Sequence, residues 1–174
     1  MESFIFELPQ YIIGHDASLY GIGFIIWRIC SNGERNMISF CAGCILSYGL
    51  GGKSDYQNTV EFISMTMGLA ALVRMGITDA PVFIESDSKS SISWAEKGNH
   101  KSCSCQRATA LFAMLGFVSK NYVSGAKHIA GILNTDCDAL SRLKGGGVMP
   151  NICKANLDKR IFIENDVFLL KVLN

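Results

Sequence analysis

The sequence predicts an α/β domain: a mixed five-stranded sheet, its first three strands antiparallel, flanked by helices. Three observations carry that expectation. Runs rich in β-branched and aromatic residues follow one another from Tyr11 to Leu46, with an Asn-Gly turn between the second and the third. After them, strand-like and helix-like stretches alternate, the order of a mixed sheet covered by helices. The chain has 174 residues, 49% of them hydrophobic and 18% charged, which suits one core rather than several.

Each element has its own signal. The first apolar run, "YIIGH", ends at Asp16, and small residues then turn the chain into a second run from about Ile22 to Cys30. "SNGER" is a hairpin turn, and "NMISFCAGCIL" is the third strand. "LGGKSDYQ" breaks the pattern and starts a helix, with Ser54 and Gln57 at capping-box spacing. From about Tyr56 to Met75 apolar residues fall on most sides, as in a buried helix. A strand bounded by Pro81 follows, about Val82 to Ser86, then a short helix from about Lys89 to Glu96 and a loop, "GNHKSCS". A second long helix spans about Gln106 to Ser119, "NYVSGAKHIAG" is the fifth strand, and a closing helix starts near Thr135. "KGGGVMP" at 144–150 reads as a linker. Residues 1–144 are thus expected to form the domain, and 145–174 a Gly-rich linker and a tail whose "VFLLKVL" docks on the domain or on a partner.

Composition excludes some classes. No apolar run is long enough to span a bilayer, so no membrane role is expected. The start, "MESFIFELPQ", has two glutamates and no basic stretch, unlike a secretory signal, and the expected setting is intracellular. Seven scattered cysteines read as reduced, small apolar residues; "CAGC" at 41–44 lacks a second ligand pair of suitable spacing for structural zinc. The net charge of +1 says nothing about a polyanionic partner. Its distribution says more: from Lys97 to Thr135 there is no acidic residue, while Lys97, Lys101, Arg107, Lys120 and Lys127 lie there. That stretch is either a solvated helix face or a surface that meets phosphates.

Several carboxylates lack a structural reason to be where they are. Glu61 sits within the most apolar helix, where an unpartnered charge is strongly disfavoured. Asp16 ends the first strand and Asp87 directly follows the fourth, at the carboxyl end where open α/β sheets bind ligands. Asp136 and Asp138 open the last helix, a position that the helix dipole favours in any case. Four carboxylates meeting at one sheet edge repel unless cations join them, and oxygen donors suit Mg²⁺ or Mn²⁺ better than zinc.

Four motifs in order resemble one family. "DASLYGIG" at 16–23, "NTVEF" at 58–62, "SDS" at 86–88 and "HIAGILNTDCDALSR" at 128–142 resemble the ribonuclease H domain, most closely the kind that follows reverse transcriptase in long-terminal-repeat and related retroelements. The match spans about residues 8 to 144. The resemblance implies a ribonuclease H-like fold and a metal-dependent endonuclease that cuts the RNA strand of RNA–DNA hybrids, leaving 5′-phosphate and 3′-hydroxyl ends. It implies two Mg²⁺ ions, replaceable by Mn²⁺, held by Asp16, Glu61, Asp87 and Asp138. It separates the two helix-opening aspartates: Asp138, before "ALSR", matches the ligand, and Asp136 matches no functional position. Cys137 stands where the family usually has alanine, a replacement of one small apolar residue by another.

Other roles follow from the same resemblance. His128, ten residues before Asp138, matches a histidine that assists product release, although a plain strand residue is the alternative reading. Ser18, Asn58 and Ser88 lie at or beside matched positions and are expected to touch the substrate backbone. Trp94 would lie along the DNA strand or pack on the core. Lys101 and Arg107 would meet phosphates. The short loop about Gly98 to Ser104 leaves little room for an extended basic protrusion, so an adjacent reverse transcriptase polymerase domain is the expected partner beside the hybrid. The competing function is a non-catalytic ribonuclease H-like module for tethering, a class that usually loses such carboxylates. Exonucleases of the same fold usually carry a second carboxylate on the first strand, where "DAS" has none.

Overall fold

The computed structural model describes residues 9–45, 56–97 and 106–162. Three antiparallel strands open the chain: β1 (Tyr11–Ala17), β2 (Gly21–Ile29) and β3 (Arg35–Cys44). A five-residue loop, 30–34, joins β2 to β3, closed by Cys30 N–H donating to the Glu34 carbonyl at 2.9 Å. Gly33 takes the left-handed conformation there, at φ 81°, which explains the glycine after Asn32. Helix α1 (Gln57–Arg74) precedes β4 (Pro81–Ser86). Helices α2 (Lys89–Lys97) and α3 (Gln106–Ser119) lead to β5 (Tyr122–His128), and α4 (Thr135–Ser141) follows.

Among the described residues the sheet has six strands, in the order β5-β4-β1-β2-β3-β6. β4 pairs parallel with both β1 and β5. The sixth strand corrects the five-stranded expectation. It is β6 (Arg160–Ile161), which pairs parallel with Phe40 and Cys41 of β3. Two residues carry no alternation, so no sequence period could reveal it. Before it, α5 (Asn151–Lys154) buries Cys153 completely. The Ser54 capping signal, the "GNHKSCS" loop and "VFLLKVL" lie outside the described residues.

Alternation along the strands divides the apolar residues between two faces. Ile13, Ile22, Phe24, Ile26, Cys41 and Ile84 face α1, α2 and α3 in the larger core. Ile25, Met37, Phe40 and Ala42 face Cys137 and Leu140 of α4 and Cys153 of α5 in the smaller one. Cys41 and Cys44, three apart on one strand, therefore point to opposite faces and cannot chelate one ion together. The cysteines among the described residues are free thiols. Helix α1 is buried on nearly every side from Thr59 to Leu72, as its composition predicts. No described helix is long and apolar enough to cross a membrane.

Candidate active site

The carboxyl ends of β1 and β4, the first turns of α1 and the start of α4 meet at one end of the sheet. β1 delivers Asp16, paired in register with Gly23 of β2. Gly23 has no side chain for a structural reason. A Cβ there would stand 2.5 Å from the Cys137 carbonyl oxygen and 2.6 Å from the Ser141 nitrogen. The bare glycine lets α4 lie against β2, and that seats Asp138 near Asp16. On the opposite face, Gly68 of α1 rests on Ile13, where a Cβ would meet Ile13 Cγ2 at 2.7 Å. Close approach on both faces thus brings two helices to the strand that carries Asp16.

Hydrogen bonds fix the frame. Ser141 Oγ donates to Asp16 Oδ2 at 2.9 Å. Ser64 Oγ on α1 lies 3.0 Å from the Asp16 carbonyl oxygen and 3.1 Å from that of Gly23, tying the helix to both strands. Asn134, just before α4, donates from Nδ2 to Asp87 Oδ1 at 3.2 Å and to the His15 carbonyl at 3.1 Å. Gln57 Nε2 donates to the Ala17 carbonyl at 2.6 Å and to Glu61 Oε1 at 3.2 Å. Arg142 Nε donates to Asp138 Oδ1 at 2.6 Å on the exposed rim.

The electrostatics show the carboxylates acting on one another. Burial, above all, raises Asp16 to about 7; the charges of Asp87 and Asp138 push the same way, against the Ser141 hydrogen bond. Burial likewise raises Glu61 to about 8, followed by the charges of Asp16 and Asp87, against the Gln57 hydrogen bond. Asp136 is absent from both sets of influences, whereas Asp138 acts on Asp16. Burial lowers His15 to about 3, so its ring is neutral. His15 Nδ1 lies 3.7 Å from Glu61 Oε2, too far for a hydrogen bond, and a neutral ring beside a protonated carboxyl is no ion pair.

Among the described residues, no three His, Cys, Asp or Glu side chains stand close enough to hold one ion as they are. In kind, the donors still suit a hard divalent cation. They are carboxylate oxygens; burial raises Asp16 and Glu61, and Glu61 Oε2 is buried with no hydrogen-bond partner. Arg142 pairs with Asp138 alone among them, at the rim.

The other expected site residues fall in different places. His128 ends β5 opposite Ser86, exposed, with Nε2 3.0 Å from the Asp87 carbonyl oxygen, beside the carboxylates. Ser18 is buried; its hydroxyl donates to the Ser141 carbonyl at 2.7 Å and accepts from the Tyr20 and Gly21 N–H groups, so it clamps the β1–β2 turn. Ser88 accepts from the Ser91 N–H at 3.2 Å and caps α2. Trp94 packs edge-on against Phe62, ring centroids 6.0 Å apart, on the larger core. Asn58 and Arg107 are exposed in the first turns of α1 and α3. Lys101 lies outside the described residues. Sequence reasoning missed the supporting residues His15, Gln57, Asn134 and Ser141. Asn134 and Ser141, both inside the last motif, carried a signal that could have found them; His15 and Gln57 did not.

Solved structures share this fold. The chain matches a ribonuclease H1 isolated from compost by a metagenomic approach at a TM-score of 0.57 and 18% identity, over 79% of this chain and 96% of that one. It matches the N-terminal ribonuclease H domain of a Mycobacterium tuberculosis protein at 0.57 and 17%, over 75% and 94%. A further match, at 0.57 and 20% over 75% and 92%, is the compost ribonuclease H1 in complex with an RNA/DNA hybrid. The fold is therefore that of the ribonuclease H proteins. No protein-family model matches the sequence, and no curated protein does.

Proposed function

We propose that this chain is a ribonuclease H, an endonuclease that hydrolyses the RNA strand of RNA–DNA hybrids, working inside the cell as part of a reverse-transcribing element beside a polymerase domain. One observation carries the reading: at one sheet end the charges of Asp87 and Asp138 act on Asp16, and those of Asp16 and Asp87 act on Glu61. Clustered acids without internal cations are costly, and a fold tolerates them where the cluster is used. The solved hybrid complex of a protein with this fold supports the substrate class. The retroelement setting rests on the "ALSR" ending of the last motif.

Asp16, Glu61, Asp87 and Asp138 would hold two Mg²⁺ ions, or Mn²⁺ in their place. Bound there, such ions supply a water made nucleophilic and charge stabilisation around the phosphorus. The chain does the rest. Asn134 orients Asp87, Ser141 orients Asp16, and Gln57 orients Glu61. His128, at the exposed edge beside Asp87, is placed to move a proton or loosen product at the leaving side. Arg107, exposed in the first turn of α3, would meet phosphate, while Arg142 at the rim is held on Asp138. RNA is chosen over DNA through its 2′-hydroxyls.

The test is cleavage of an end-labelled hybrid, with Mg²⁺ and with chelator, beside an all-DNA duplex of the same sequence. Cutting of the RNA strand alone, lost with chelator and in Asp87→Asn, is the expected result. A chain that binds hybrid but leaves it intact is an interaction module instead, and the enzymatic reading falls.

A further inference from the structure

Buried polar atoms are nearly always hydrogen-bonded, so the exceptions call for an explanation. Among the described residues, such exceptions include both ring nitrogens of His15 and, near its Nδ1, Glu61 Oε2. His15 is wholly buried on β1, next in sequence to Asp16, and faces α1. The nearest approach between the orphans is Nδ1 to Oε2, at 3.7 Å. A backbone-only role does not explain the imidazole. The backbone carbonyl already serves Asn134, and any residue would supply it. An apolar side chain would fill the same buried space without leaving two nitrogens unsatisfied.

We propose that His15 is a positioning residue for Glu61: its Nδ1–H donates to Oε2 when the carboxylate engages a divalent cation. Closing 3.7 Å to the usual N–H···O separation of about 2.9 Å takes a movement of under about 1 Å. The other oxygen, Oε1, is already held by Gln57, itself anchored on the Ala17 carbonyl. With His15 on Oε2 and Gln57 on Oε1, each oxygen keeps a lone pair for an ion, and the carboxylate plane is fixed. Histidine, with one donor and a rigid ring, does this from β1 without adding charge. The neighbouring Asp16 belongs to the same strand, so His15 couples the spacing of the two carboxylates to the pleat of β1. The inference rests on the nuclease reading above, since it needs Glu61 to be a ligand.

The experiment is Mg²⁺ titration by calorimetry on the full chain, with thermal melting in chelator, for wild type, His15→Leu and His15→Asn. Asparagine places an amide N–H close to where Nδ1 stands; leucine places none. Loss of partners that orient metal ligands typically weakens metal affinity about 10–100-fold. His15→Leu should fall in that range, while melting in chelator no lower than wild type, because it removes two unsatisfied buried nitrogens. His15→Asn should recover most of the affinity. Equal Mg²⁺ affinity in wild type and His15→Leu overturns the assignment, as does an Asn variant no better than Leu. A wild type that binds Mg²⁺ but never cuts hybrid overturns the nuclease reading and leaves the His15 comparison to stand on the titration alone.

Discussion

Asp16→Asn should make the metal-free protein more stable while removing its response to Mg²⁺. Asp16 rises from 3.8 to about 7 on folding, chiefly through burial. An acid whose folded pKa is raised binds its proton more tightly in the folded state, so stability falls as pH climbs from the unfolded value through the folded one. Each pKa step is worth about 1.4 kcal/mol, so the cost accumulates between about pH 4 and pH 7 to the order of 4 kcal/mol. Asparagine carries no charge, and its carbonyl can still accept from Ser141 Oγ. At 2–4 °C per kcal/mol for a domain of this size, and allowing roughly half for residual burial in the unfolded chain, melting should rise by about 4–8 °C near pH 8. Near pH 4 the gain should almost vanish.

The assay is differential scanning calorimetry across pH, in chelator and with saturating Mg²⁺. Wild type should gain stability with the ion, because ligand binding to the folded state adds RT ln(1 + [L]/Kd), and the variant should gain much less. An Asp16→Asn protein that melts no higher than wild type near pH 8, or whose advantage is independent of pH, would refute the electrostatic account of the cluster.

Gly23→Ala should damage the site through packing. The new Cβ has backbone of α4 within 2.7 Å, so the helix must move; destabilisation of about 1–3 kcal/mol by urea denaturation and a larger proportional loss of hybrid cleavage are expected. Asp138→Asn should abolish cleavage, whereas Asp136→Asn should retain most of it; equal losses would mean that the two are wrongly distinguished. His128→Ala should keep Mg²⁺ affinity and lower multiple-turnover more than single-turnover rates, by up to about 10²-fold, and unchanged rates in both would reduce it to a strand residue.

The fold was legible where one period ruled. The strands alternate, α1 is apolar all round, and α3 begins at Gln106 and ends at Ser119 in the sequence reading and in the structure alike. β6 was not legible, because its two residues are held by the edge of β3 rather than by their own pattern. At the site, Asp16, Glu61 and Asp87 stood out as acids in apolar surroundings, a contrast visible along the chain. Choosing Asp138 over Asp136 needed the family resemblance, since both open the same helix. Ser18 shows the opposite limit: a hydroxyl beside a motif reads as a substrate contact, and only three dimensions reveal that it is spent on Ser141, Tyr20 and Gly21. Trp94 is similar, its ring turned to Phe62 in the core.

The placement of Asp138 depends on residues far from it in sequence. Helix α4 has seven residues, well below the length at which a helix holds itself in water. Its fixed position must come from packing, and its buried side chains, Cys137 and Leu140, share one cluster with Ile25 of β2, Phe40 of β3 and Cys153 of α5. Cys153 belongs to the segment that continues into β6, where Arg160 and Ile161 pair with β3. That segment closes the face of the sheet opposite α1 and extends the edge on which α4 leans. Glu61, by contrast, is fixed by an eighteen-residue helix in the main core. The two sides of the carboxylate cluster are therefore held with unequal firmness. The α4 side depends on a small core finished by residues beyond 150, and disturbance there should reach Asp138 before it reaches Asp16, Glu61 or Asp87.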